Sequence, residues 1–178
     1  GAPSVKPMPT LGGGLKFGVP EELSHSQILD IIDRFINAAE IAKQTGFTGV
    51  QLHSAHGYLL SEFLSPNINN RTDQWGGSIE NRSRLLMSII DGIRAKVGNN
   101  YPISIKLNSS DFQKGGFTHE ESIEVAKLLN STSLDLLEIS GGTYENFAAL
   151  EIDSFNLKKM KTIKPQRSTV VREAYFLK

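Results

Sequence analysis

Between Ser24 and Ile139 the hydrophobic period switches repeatedly between that of a helix and that of a strand, and this switching restricts the possible folds more than any other feature. Ser24 is followed three residues later by Gln27, the spacing of a capping box. Ile28, Ile32, Phe35, Ala39 and Ala42 then recur at steps of three and four, forming one face of a helix that Gly46 stops. A short strand is predicted from Gly49 to His53. Ser78 caps a second helix, whose stripe of Leu86, Ile89, Ile90, Ile93 and Val97 ends at Gly98. A strand follows from Ile103 to Leu107. Thr118 and Glu121 form another capping box, opening a helix that turns Ile123, Ala126 and Leu129 inward, and a third strand is predicted from Leu134 to Ile139. After a second long loop, Ser168 opens a helix expected to be still running at Lys178.

Strands joined by single-helix crossovers call for an α/β fold with a parallel sheet. Two such folds compete, the doubly wound open sheet and the (β/α)8 barrel. A dinucleotide-binding open sheet would want Gly-x-Gly-x-x-Gly directly after a strand, and the chain has none. Long loops instead follow the first and third strands, on the face where barrels keep their reactive groups. Three strands fall short of eight, so the expectation is a partial (β/α)8 TIM barrel. Residues 1–178 are then a single incomplete barrel segment, with 1–23 an irregular, proline- and glycine-rich loop and 24–178 the α/β repeats. Its two open sheet edges need cover, from a second copy of the chain or from another one.

Composition removes several function classes. Lysines plus arginines and aspartates plus glutamates number 19 each, so no net field favours nucleic acid or an anionic membrane. With no cysteine, this stretch has no disulfide, no thiolate nucleophile and no cysteine-held cluster. No apolar run is long enough to span a bilayer. These points lead to the expectation of a soluble, cytoplasmic protein.

Strand alternation decides which side chains can meet. Gln51 and His53 share one face of the first strand, opposite Val50 and Leu52. Ser104, Lys106 and Asn108 share the equivalent face of the second strand, and Glu138 and Ser140 that of the third. Imidazole, ammonium and carboxylate groups therefore converge on one cavity. His53 and His56 lie three residues apart with Tyr58 just beyond, so two imidazoles could donate to an oxygen gaining negative charge while a phenol delivers a proton. A loop-stabilising histidine pair with a packed tyrosine is the competing reading. Two histidines without a third ligand do not make a zinc site. Lys106 is either a cation facing an electron-rich ring or half of a structural ion pair with Glu138. Arg71, Arg82 and Arg84, with Asp73 and Glu80, read as a charge network that fixes the loop. Trp75 reads as loop packing, with a cofactor stack as the alternative.

The stretch from Gly46 to Arg84 is far more specific than a histidine pair. It reads Gly-Phe-Thr-Gly-Val-Gln-Leu-His-Ser-Ala-His-Gly-Tyr-Leu-Leu, then Phe-Leu-Ser-Pro-Asn-Ile-Asn-Asn-Arg-Thr-Asp-Gln-Trp-Gly-Gly-Ser-Ile-Glu-Asn-Arg-Ser-Arg. This resembles the signature of the Old Yellow Enzyme family of NAD(P)H:flavin oxidoreductases. The likeness continues through Ile105-Lys106-Leu107-Asn108 and Glu138-Ile139-Ser140-Gly141-Gly142, covering nearly the whole chain.

The resemblance implies that the three strands are the fourth, fifth and sixth of a barrel, and that the parent protein is an FMN-dependent enzyme reduced by NADH or NADPH. It implies hydride transfer from reduced flavin to the activated C=C of an α,β-unsaturated carbonyl compound. His53 and His56 would hold the enone carbonyl, Tyr58 would protonate the α-carbon, and Lys106, where many members have arginine, would lie near the flavin ring. The family's phosphate-holding loops follow strands seven and eight, beyond these residues. Two alternatives stay open: a flavin-free half-barrel without activity, and a flavoenzyme relative acting on amines or dienoyl-CoA.

Overall fold

The computed structural model of the chain describes residues 1–6, 18–143 and 169–170. Helix α1 spans His25–Gln44. Its first turn is closed reciprocally: the Gln27 backbone N–H donates to Ser24 Oγ at 3.3 Å, and the Ser24 N–H donates to Gln27 Oε1 at 2.8 Å. Its last turn ends on Gly46 at φ 92°, with the Phe47 N–H reaching Ala42 O and the Gly46 N–H reaching Lys43 O. Only a glycine takes that left-handed angle without a Cβ penalty.

Strand β1 (Val50–Ser54) follows, then a short helix α2 (Leu59–Leu64) and the long helix α3 (Ile79–Val97), capped by Ser78. Strand β2 (Ile103–Asn108), helix α4 (His119–Leu129) and strand β3 (Leu136–Ser140) complete the alternation. Thr118 and Glu121 make the expected capping box on α4. A two-residue strand β4 (Thr169–Val170) lies beside β3.

All pairings are parallel and the order is β1-β2-β3-β4. Sequential order without reversal is that of a barrel wall; a doubly wound sheet reverses at its switch point. The expected partial barrel is therefore what forms. Leu52, Ile103, Ile105, Leu107 and Leu137 are buried in one cluster with Ile28 and Ile32 of α1, Leu86, Ile89, Ile90, Ile93 and Val97 of α3, and Val125 and Leu129 of α4. Each such side chain contributes about 1.5–3 kcal/mol by leaving water. Gly92 sits where α1 meets α3: a Cβ there would fall 2.3 Å from Ile36 Cδ1, so the absent side chain sets how closely the helices approach.

Two expectations fail. The long loop expected after the first strand contains α2. Leu59, Leu60, Phe63 and Leu64 repeat at helical spacing, but Gly57 and Pro66 bracket so short a run that turn signals dominate it. A helix was expected to open at Ser168, yet Thr169 and Val170 pair with Leu136 and Leu137 as a strand. The β-branched run Thr169-Val170-Val171 favours extended chain, which outweighs the capping potential of Ser168. The remainder of that expected helix lies outside the described residues. Within the amino-terminal segment, Ala2 bridges to Glu22, and Arg71 Nη1 donates to the carbonyls of Pro3 and Leu23, tying this stretch to the loop after α2.

Candidate functional site at the carboxyl ends of the strands

The sheet register places the site. His53 pairs with Lys106, and Lys106 with Glu138, so imidazole, ammonium and carboxylate stand in one row across three strands. The sequence alternation predicted this convergence. Lys106 Nζ lies 3.0 Å from Glu138 Oε1, and Gln51 Nε2 donates to Glu138 Oε2 at 2.8 Å. The ion pair weighed from sequence is present. It leaves the second carboxylate oxygen satisfied by an amide, as a largely buried charge requires.

Beyond β1 the backbone turns sharply, with His56 at φ 63° and Gly57 at φ 78°. A positive φ is uncommon for a residue with a side chain. Here it is held from two sides. The His56 N–H donates to Asn108 Oδ1 at 3.2 Å, and His56 forms a bridge with Thr143 beyond β3. The turn folds the three predicted residues together: the His53 ring centroid is 5.1 Å from that of His56 and 5.0 Å from that of Tyr58. Tyr58 is 55 % exposed, so its phenol is reachable by a ligand.

Both histidines have pKa values below the ordinary imidazole value. Burial is the leading cause for His53, followed by the nearby Lys106 charge; for His56 burial leads, followed by His53 and then Lys106. At neutral pH both rings are therefore predominantly neutral, and each neutral ring offers one N–H donor. Two neutral donors beside a paired lysine can hold an oxygen without binding it as a permanent anion.

Sequence reasoning put Asn108 and Ser140 on the polar face but gave them no task. Asn108 is buried, and its amide nitrogen donates to Asp111 Oδ1 at 3.1 Å and to Gly142 O at 2.9 Å. Asp111 in turn accepts from Ser65 Oγ and from the Phe117 N–H. Ser140 Oγ lies 2.6 Å from His56 Nε2. Strand alternation could have flagged both residues, since each continues the row of a residue already singled out.

The expected loop network forms in part, through Arg71 and Asp73, and Arg82 adds a partner outside it. Arg71 makes a two-pronged contact with Asp73, at 3.0 and 2.6 Å. Arg82 is buried and reaches past the loop to Glu121 Oε1 on α4 at 2.5 Å, also donating to the carbonyls of Gly77 and Leu64. Glu80 is exposed, and a hydrogen bond from Ser78 is the main cause of its lowered carboxyl pKa. Trp75 is buried, with Nε1 donating to His25 Nδ1 at 3.0 Å, as loop packing requires. Among the described residues no group of three or more His, Cys, Asp or Glu side chains is arranged to hold a metal, and no helix is long and apolar enough to cross a membrane.

Comparison with known proteins bears on the fold and the family. The NADH oxidase of Thermoanaerobacter brockii is 42% identical over 149 residues, covering 84% of this chain and 22% of that protein. The NADH-dependent flavin oxidoreductase nadA of Aspergillus parasiticus is 41% identical over 140 residues, covering 79% of this chain and 32% of that protein. Among solved structures, a 2-naphthoyl-CoA reductase complex matches with a TM-score of 0.85 at 34% identity, covering 95% of this chain and 26% of that one. An old yellow enzyme homologue from Zymomonas mobilis matches at TM-score 0.78 and 27% identity, covering 95% of this chain and 49% of that one. The chain thus spans about a quarter to a half of the length of these proteins. The sequence pattern of one family matches residues 12–171, nearly the whole chain, and with these likenesses it shows that the chain belongs to the NADH:flavin oxidoreductase / NADH oxidase family.

Proposed function

We propose that this chain carries the substrate anchor of an FMN-dependent NAD(P)H oxidoreductase that reduces the activated C=C bond of α,β-unsaturated carbonyl compounds. The observation that carries this reading is the cluster of two neutral imidazoles and an exposed phenol at the end of β1, level with the Lys106–Glu138 pair. FMN and NAD(P)H are the cofactors of the family. The donor set on the polar face fits part of the flavin: the Lys106 ammonium and the Gln51 amide carry N–H groups suited to the carbonyl and ring-nitrogen edge of an electron-accepting ring. Lys106 replaces the planar fork of an arginine with a point charge, so it favours negative charge on that ring without fixing its orientation. When bound, FMN reduced by NAD(P)H supplies the hydride.

The protein residues do the rest. His53 and His56 each donate one N–H to the carbonyl oxygen, orienting the enone and opposing the negative charge that grows there. Because they are already in place, these donors strengthen as the charge develops. Tyr58 gives its phenolic proton to the α-carbon, which becomes basic as the double bond is consumed. The reading carries with it a small-molecule partner, a cytoplasmic location and no part for nucleic acid or membrane. Residues 1–178 act in it as one barrel segment whose open edges another chain segment or a second copy covers.

The likeness to 2-naphthoyl-CoA reductase favours one second reading, in which the anchored oxygen is that of a thioester. Product analysis separates the two. The intact flavin-loaded protein, given NADH or NADPH and 2-cyclohexenone, is expected to yield cyclohexanone. Turnover of a dienoyl or aromatic thioester with none of the enone would replace the first reading by the second. Oxidation of an amine in place of either would sink both.

A further inference from the structure

We infer that Ser140 is a positioning residue for the carbonyl anchor: its hydroxyl donates to His56 Nε2 and thereby places the imidazole proton on Nδ1. The inference rests on the proposed anchor role of His56. The starting point is the 2.6 Å separation of His56 Nε2 and Ser140 Oγ, which commits one ring nitrogen to Ser140. Burial, His53 and Lys106 lower the His56 pKa against the opposing Glu138 charge, so the neutral ring predominates at neutral pH, and a neutral imidazole has one N–H and one lone pair. If Nε2–H donated to Ser140, Nδ1 would offer only a lone pair, which repels a carbonyl oxygen. If Ser140 donates, Nδ1–H remains for the substrate. A hydroxyl can take either part and the ring cannot, so the need for a donor decides the direction.

The backbone that carries the ring is held from two sides. Asn108 Oδ1 accepts from the His56 backbone N–H, the turn at His56 takes a left-handed φ, and the bridge to Thr143 joins His56 to the chain that leaves Ser140. The Ser140 carbonyl accepts from the Ser109 N–H, and the Gly142 N–H donates to Ser110 O, so the end of β3 is clamped to the end of β2. The serine and the histidine that it orients are therefore held by the same frame.

The test uses the intact flavin-loaded protein labelled with 15N-histidine. Long-range proton–nitrogen couplings distinguish the two neutral tautomers, and His56→Asn assigns the signals. The expected result is an Nδ1–H tautomer for His56. Ser140→Ala should move it toward Nε2–H and weaken binding of p-hydroxybenzaldehyde roughly tenfold, with Ser140→Thr restoring both. An Nε2–H tautomer in the wild-type protein overturns the inference without needing any variant to fold. So does release of Nε2 from Ser140 to the added phenol, or an Ser140→Ala protein with tautomer and affinity unchanged. A different pattern marks failure of the anchor reading itself: Nδ1–H in the wild-type protein, with phenol affinity unchanged by both His56→Ala and Ser140→Ala.

Discussion

Tyr58→Phe is expected to slow the oxidative half-reaction of the intact flavin-loaded protein by about 10²- to 10⁴-fold, the range over which positioned acids act. Reduction by NAD(P)H should be unchanged, because that step needs no proton from the phenol. The asymmetry follows from the geometry. Tyr58 is the N-cap residue of α2, exposed at the mouth, and its ring rests 5.0 Å from that of His53. Phenylalanine keeps that ring contact and the start of the helix, since Tyr58 makes no side-chain cap hydrogen bond. The substitution removes the phenolic hydroxyl and with it the acid. Stopped-flow measurement of the two half-reactions separates the effects, and equal slowing of both would contradict the proton-donor role.

Arg82→Ala is expected to lower folding stability by about 3–4 kcal/mol, because it removes one partner of a largely buried ion pair. The guanidinium joins three elements at once. It donates to the carbonyl of Leu64 at the end of α2, to that of Gly77 before α3, and to the carboxylate of Glu121 in the first turn of α4. Truncation leaves two carbonyls without this donor and Glu121 without its cation. Glu121 retains the Thr118 N–H through the capping box, which keeps the loss below the upper end for buried pairs. Arg82→Lys should recover only part of the stability, since one ammonium cannot match three diverging donors. Urea unfolding of the intact protein measures this, and a loss under about 1 kcal/mol would show the clip to be no stronger than a surface pair.

Much of this arrangement is legible in sequence because it follows from local rules. The capping boxes at Ser24 and Thr118 and the stop at Gly46 depend on residues within a few positions of one another, and all three form as spacing predicts. The row His53, Lys106, Glu138 is legible because side chains alternate strictly along a strand, so knowing one residue's face assigns the rest. What escapes depends on distant partners. The bond from Arg82 to Glu121 joins residues 39 positions apart, beyond the reach of any local spacing rule. Ser140 gains a task only because the turn at His56 swings an imidazole onto the end of β3, and a positive φ at a histidine has no sequence signature. The strand at Thr169–Val170 was hidden by a serine that could equally have capped a helix.

The central claim is that His53 and His56 together hold the oxygen of a carbonyl ligand. The most direct test is a titration of the intact flavin-loaded protein with p-hydroxybenzaldehyde, followed through the visible flavin spectrum, for the wild-type and His53→Ala/His56→Ala proteins. Loss of two neutral N–H donors should weaken binding by about 10- to 100-fold while the flavin stays bound. Equal affinity in the two proteins would contradict the claim, and would return the histidine pair to the role of packing the turn after β1.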